Sequence, residues 1–170
     1  MIAHLFRRIG QKHLGVLQIG TLSLPCAIGR SGIVTQKHEG DGGTPRGMLR
    51  PVAIYFRPDQ LKLHGFALPA KSITREAGWC DDLHSPRYNR LIALPSALSH
   101  EKLWREDPLY DIVIETDWNR KPAIRGKGSA IFIHLARPGF KPTEGCIAFD
   151  RKGMKLFLSL LRMNLRIHIH

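Results

Sequence analysis

Short apolar, β-branched runs recur along the chain: GVLQIG, LSLPCAIG, VAIYF, LIAL, DIVIET, AIFIHL, CIAF and LRIHIH. Gly/Pro/Asp/Asn punctuation such as EGDGGTPRG and HSPRYN separates them, so each reads as a strand bounded by turns. The last run alternates strictly, with Leu165, Ile167 and Ile169 on one face and Arg166, His168 and His170 on the other, which makes the two histidines solvent-facing strand residues. Two segments read as helix. SALSHEKLWRE, 96–106, places Ser96 after Pro95 as a cap. In DRKGMKLFLSLL, Asp150 caps and Met154, Phe157, Leu158 and Leu161 fall at helical spacing toward the core. Many short strands with few helices predict a mainly β sandwich or barrel. With no internal repeat and no low-complexity linker, residues 1–170 are expected to form a single domain.

Composition adds one feature to this picture. Lys and Arg number 26 against 14 Asp and Glu, a formal net charge of +12, which suits an anionic partner such as nucleic acid, an anionic lipid surface or a cell-wall polymer. The basic residues are scattered, and there is no Arg-rich arm, zinc-finger spacing or aromatic-Gly box, so specific nucleic-acid recognition is not expected. No run approaches the length of a membrane span. The N-terminus lacks an uninterrupted apolar h-region and does not read as a signal peptide.

The candidate chemistry lies in IFIHLARPGFKPTEGCIAFD, 131–150, where Cys146 follows His134 by twelve positions. An imidazole can take the proton of a thiol, which is the logic of covalent Cys–His catalysis. Gly145 lets a substrate approach the backbone, so that N–H groups at 144–146 can converge on an oxyanion. The intervening loop, rich in Pro and Gly, reads as a surface loop over a cleft. On spacing alone the pair could also be a satisfied core histidine and a small buried thiol. A metal site is disfavoured, because one thiolate and one imidazole fall short of the four ligands of structural zinc. His before Cys is the reverse of the papain-like order, and the spacing is far tighter than in sortase-like enzymes.

Taken with a second block, the stretch resembles a known family. A strand-ending histidine, a loop and T-E-G-C-I are similar to the catalytic motif of the L,D-transpeptidases (YkuD-like domains). GDGGTPRGMLRPVAIY, 41–55 with its flank, resembles the family's Gly-Asp-Gly-x-Thr-Pro-x-Gly segment, and GWCDDLHSPRYNR and GSAIFIH resemble a short single-domain branch. The resemblance implies an L,D-transpeptidase β-sandwich with a few short helices, acting on peptidoglycan stem peptides on the periplasmic side as a monomer, without a cofactor. It assigns Cys146 as nucleophile, His134 as general base and acid, and Gly145 as a backbone oxyanion donor. The product implied is a diaminopimelate–diaminopimelate (3-3) or an L-Ala–diaminopimelate (1-3) cross-link; a stem-trimming carboxypeptidase or amidase is the related alternative. Outside catalysis altogether stands a basic wall- or nucleic-acid-binding domain.

Two positions depart from the family pattern, Glu144 in place of a histidine and Ala148 in place of an arginine. A carboxylate beside the thiol opposes thiolate formation, and Arg137, Lys141 and Arg87 are the candidate compensating cations. Thr143, Glu144, Arg137, Trp79, Asp81, Tyr88 and Asn89 are expected to contact substrate, the carboxylates at 81 and 82 being suited to an ammonium group. Cys26 and Cys80 could pair in an oxidising compartment, leaving Cys146 as the odd thiol.

Overall fold

The computed structural model describes residues 1–61 and 65–170. Its strands are β1 (Ile2–Arg7), β2 (Leu14–Ile19), β3 (Leu22–Ala27), β4 (Ile33–Val34), β5 (Thr44–Pro45), β6 (Gly47–Leu49), β7 (Pro51–Phe56), β8 (Ala70–Ser72), β9 (Ala77–Cys80), β10 (Arg90–Ala93), β11 (His100–Lys102), β12 (Ile112–Thr116), β13 (Phe132–Leu135), β14 (Ile147–Phe149) and β15 (Arg166–Ile169). A single α-helix among the described residues, α1, spans Arg151–Leu160. The mainly β expectation holds, and all eight apolar runs become strands.

Ten strands form one sheet in the order β6-β15-β1-β2-β3-β14-β13-β12-β7-β8. Leu49 of β6, Ala3 of β1, Ile133 of β13 and Ile54 of β7 all join one buried cluster with Met154 and Phe157 of α1. Strands so far apart in the order can share a cluster only if the sheet curls around it. The opposite face of the central strands packs against β10-β9-β11, a three-stranded sheet, through a second cluster containing Trp79, Leu103, Tyr110, Val113 and Phe132. Covered on both faces, β12 and β13 carry near-continuous apolar runs rather than an alternation.

The helix forms as its sequence predicts. Asp150 accepts the Gly153 N–H at 2.6 Å, and Met154, Phe157 and Leu161 are buried while Leu158 is half-buried. The predicted helix over 96–106 does not form; this stretch is extended and turn-like, and β11 pairs antiparallel with β9. Its apolar residues make no helical stripe, since the positions one turn after Leu98 are Glu101 and Lys102. Exposure alternates strictly from Leu91 to His100, the period of a strand. Ser96 caps a local turn instead, accepting the Leu98 N–H at 3.1 Å. A disulfide between Cys26 and Cys80 is also absent: both are free, buried thiols, one in the ten-stranded sheet and the other in the three-stranded sheet.

Candidate active site

Strands β13 and β14 run parallel, with Ile133 opposite Ile147 and His134 opposite Ala148. Alternation turns Ile133, Leu135, Ile147 and Phe149 toward the helix-covered core. Phe132 and Cys146, one step before β14, belong instead to the cluster under the three-stranded sheet. His134, two residues beyond Phe132, shares that face and lines with Cys146 a cavity of about 440 Å3. The two sequence-predicted residues thus reach one cavity because each lies on the same face of adjacent parallel strands.

The conformation of the Cys146 loop depends on the distant glycine-rich block. Gly145 has φ +135°, and a Cβ there would sit 2.8 Å from the Gly43 carbonyl oxygen, so only glycine fits. Thr44 donates its hydroxyl to the Gly145 carbonyl at 2.9 Å and accepts the Gly29 N–H at 2.8 Å. Asp41 shapes that block by accepting the N–H groups of His38 and Gly43 at 2.7 and 2.8 Å and the Lys37 ammonium at 2.5 Å. Those contacts hold its carboxyl below the usual range despite burial. Thr143 ties the other side of the loop, donating to the Cys146 carbonyl at 2.6 Å and accepting the Gly145 N–H at 3.1 Å. One expectation changes here: the Gly145 N–H is already engaged by Thr143. Thr143 lines the cavity as expected and also braces the loop through its hydroxyl.

Cys146 is 8% exposed; its Sγ accepts the Phe132 N–H at 3.3 Å and donates to the Ala130 carbonyl at 3.1 Å. Burial pushes the thiol up to about 12, with the Glu101 carboxylate adding to it; the Phe132 N–H and Lys37 pull the other way. His134 directs Nδ1 at the Leu135 carbonyl, 2.8 Å away. A carbonyl only accepts, so Nδ1 carries the proton and Nε2 the lone pair. Burial holds this imidazole down at about 4, and Arg105 and Arg137 add to the effect. Tyr110 packs edge-on to the ring at 5.2 Å. No hydrogen bond joins His134 to Cys146 among the described residues; at rest the thiol is held by Ala130. The resting pair is a neutral thiol and a neutral imidazole able to take its proton.

The remaining expected contacts divide. Asp81, Arg137 and Glu144 line the cavity, whereas Trp79, Tyr88 and Asn89 are buried behind its wall and do not. Asn89 accepts the Trp79 indole N–H at 2.9 Å and the Ala130 N–H at 3.1 Å, and donates to the carbonyls of Trp118 and Asn119. It therefore fixes Ala130, a residue at φ +51° whose carbonyl holds the thiol. Tyr88 donates to Glu39 of the cavity wall. Glu144 pairs with Arg30 at 2.8 Å, so its compensating cation is none of those expected; Arg137 and Lys141 line the cavity, and Arg87 lines a different one. Ala148, 1% exposed and in register with His134, occupies a place where a long side chain would have to fill the cavity.

Sequence reasoning missed the charges that surround the pair. Glu101 accepts the Tyr110 hydroxyl at 2.6 Å. Burial raises its pKa, opposed by that bond and by Arg105, with the nearby Asp81 and Glu39 raising it further. Asp81 Oδ1 is buried without a hydrogen-bond partner among the described residues. Glu101 and Arg105 lay inside the stretch read as helix, which hid their approach to the cavity. Lys37, 4% exposed, carried no motif of its own.

The sequence profile of the L,D-transpeptidase catalytic domain (YkuD) matches residues 9–169, nearly the whole chain. The chain belongs to the L,D-transpeptidase catalytic-domain family. Family members are cysteine-dependent transpeptidases that act on peptidoglycan, cell-wall enzymes typically found outside the cytoplasm. Among curated proteins and among solved structures no match to the chain is found. No helix of the described residues is long and apolar enough to cross a membrane.

Proposed function

We propose that the chain is a peptidoglycan L,D-transpeptidase with Cys146 as nucleophile and His134 as general base and acid. The observation that carries this is the shared cavity: thiol and Nδ1-anchored imidazole face the same space from adjacent parallel strands. The Cys146 Sγ attacks a carbonyl of the donor stem as His134 Nε2 takes the thiol proton. Because the resting thiol is weakly acidic and the imidazole weakly basic, the proton moves with the attack rather than before it. The oxyanion takes the Cys146 N–H, since that of Gly145 is bound to Thr143. His134 returns the proton to the departing amine as the C–N bond breaks, leaving a thioester. The side-chain amine of a diaminopimelate acceptor then attacks, yielding its proton to His134 and freeing the thiol.

Charge in the cavity fits such a substrate. Asp81, whose buried Oδ1 has no hydrogen-bond partner among the described residues, and Glu101 offer a place for an ammonium group. Arg137 on the cavity wall suits a carboxylate, and Arg105 beside it is held by Asp107. A diaminopimelate side chain presents both groups on one carbon. The net charge of +12 favours approach to an anionic wall polymer, and the site of action is the periplasmic side. Mass spectrometry of defined muropeptides incubated with wild type and Cys146→Ala tests the reading. New Cys146-dependent dimers, 3-3 or 1-3, are expected. Shortened monomers alone would mean that water is the acceptor and the chain a stem-trimming carboxypeptidase. Products that do not depend on Cys146 would overturn the assignment.

A further inference from the structure

A second group of chemistry-bearing residues lies away from the cavity, on the outer side of the β15-β1 pair. These strands are parallel, with His4 directly opposite His168. His170, two residues beyond His168, shares its face. The three imidazoles converge: ring centroids are 4.0 Å apart for His168 and His170, 5.2 Å for His4 and His170, and 6.0 Å for His4 and His168. One potential ligand atom from each ring lies within 4.8 Å of those of the other two, and His4 Nδ1 is 2.9 Å from His170 Nε2. Phe6 stacks on His170 at 4.4 Å and 10°, which fixes the plane of that ring. The alternating pattern predicts solvent-facing histidines, yet all three are half-buried against one another.

We infer that His4, His168 and His170 form a three-imidazole site for a late first-row divalent metal ion, Zn2+ or Cu2+, that clamps β15 to β1. Zn–N bonds of about 2.0–2.1 Å put tetrahedral ligand atoms about 3.3 Å apart. The present ligand-atom spacings, 2.9 Å between His4 Nδ1 and His170 Nε2 and no more than 4.8 Å across the set, bracket that distance. Imidazole donors without a carboxylate select Zn2+ and Cu2+ over Mg2+ and Ca2+. Across the sheet the row reads Met48, His168, His4, Gln18, so the immediate register neighbours are uncharged. Arg7, Lys12 and Arg46 line a separate cavity with His170 and meet the ion with positive charge from that side. That repulsion sets the expected affinity in the micromolar rather than the nanomolar range.

The test is calorimetric titration of Zn2+ and of Cu2+ into the metal-free full chain near neutral pH, with a Cys146→Ala background to remove the reactive thiol. One equivalent is expected to bind at this site and to raise the melting temperature. His4→Ala, His168→Ala and His170→Ala each weaken that equivalent by about tenfold or more and abolish the melting shift. His4→Gln, which keeps a polar side chain in the row, controls for loss of strand packing and gives the same loss of binding with a metal-free melting temperature equal to that of the parent. Absence of binding by both ions, or an equivalent that survives the three substitutions together, overturns the proposal.

Discussion

The pairs β13–β14 and β1–β15 are built alike and covered differently. Both are parallel, and both set a histidine in register with the neighbouring strand, His134 with Ala148 and His4 with His168. Over the first lie Leu103, Leu109 and Tyr110, leaving His134 and Cys146 7% and 8% exposed. On the second, Phe6 of β1 itself stacks on His4 and His170, and the histidines stay half-open to solvent. Strand alternation decides which side chains meet; the covering layer decides what they become. Under cover, acidities move far from their ordinary values, and water is kept from a reactive carbonyl. In the open, the rings keep the access that an ion needs.

The largest expected effect breaks the comparison at its covered end. Cys146→Ala abolishes muropeptide cross-linking, and His134→Gln lowers its rate by roughly 100- to 10,000-fold. His4→Ala, altering the equivalent register position of the open pair, leaves turnover unchanged. Mass-spectrometric rates of dimer formation check all three.

Next in size is the support behind the cavity. Asn89 is 2% exposed and uses both ends of its amide. Asn89→Ala orphans the Trp79 and Ala130 N–H groups and lowers unfolding free energy by roughly 2–4 kcal/mol. Because Ala130 then loses its anchor, the alkylation rate of Cys146 changes as well, which a purely distant packing defect would not produce. Denaturant titration and timed iodoacetamide labelling separate the two readouts.

How much of this was legible follows from where each signal lives in the chain. The helix at 151–160 was readable because its cap and its stripe are local. The segment 96–106 was misread because its composition suits a helix while its pairing with β9 is a contact across the fold. His134 and Cys146 could be paired from the motif, but that Gly145 is required by the Gly43 carbonyl emerges only when two blocks about a hundred residues apart are packed together. Trp79, Tyr88 and Asn89 looked like substrate contacts because polar and aromatic residues cluster in their loop. In the fold the polar atoms of Trp79 and Asn89 are satisfied inside, and the Tyr88 hydroxyl is taken up by Glu39 of the cavity wall. The histidine triad was invisible because His4 and His168 are 164 residues apart and meet only through parallel pairing of the first and last strands.

The covered pair should also impress a pH window on stability. His134 is held near 4 against an ordinary 6.5, so below pH 6.5 the unfolded chain takes up a proton that the native chain refuses. Its contribution is complete above 6.5 and is lost as pH falls toward 4. Cys146 and Cys26 are raised from 9.0 to about 12. Above pH 9 the unfolded chain releases protons that the native chain keeps, and stability falls as pH rises. Denaturation midpoints are expected to be level between about 6.5 and 9 and to decline on both sides as far as these groups govern them. His134→Gln flattens the acid arm, and Cys146→Ala reduces the alkaline one.

The smallest effect concerns the exposed pair beside the nucleophile. Arg30 and Glu144 meet at 2.8 Å with side chains 49% and 77% exposed, so the pair is worth at most about 1 kcal/mol and less in high salt. Its electrostatic reach is the more informative quantity, because Glu144 is among the groups that raise the Cys146 thiol. Removing Arg30 leaves that carboxylate uncompensated, so Arg30→Ala slows Cys146 alkylation at low ionic strength with almost no change in melting temperature. Glu144→Gln restores the rate in the Arg30→Ala background, and added salt shrinks the difference between the variants. If instead Arg30→Ala labels as fast as the parent at low salt, the compensation of Glu144 lies with Arg137 or Lys141 of the cavity lining, and the cover over the site, not the rim pair, sets the thiol's acidity.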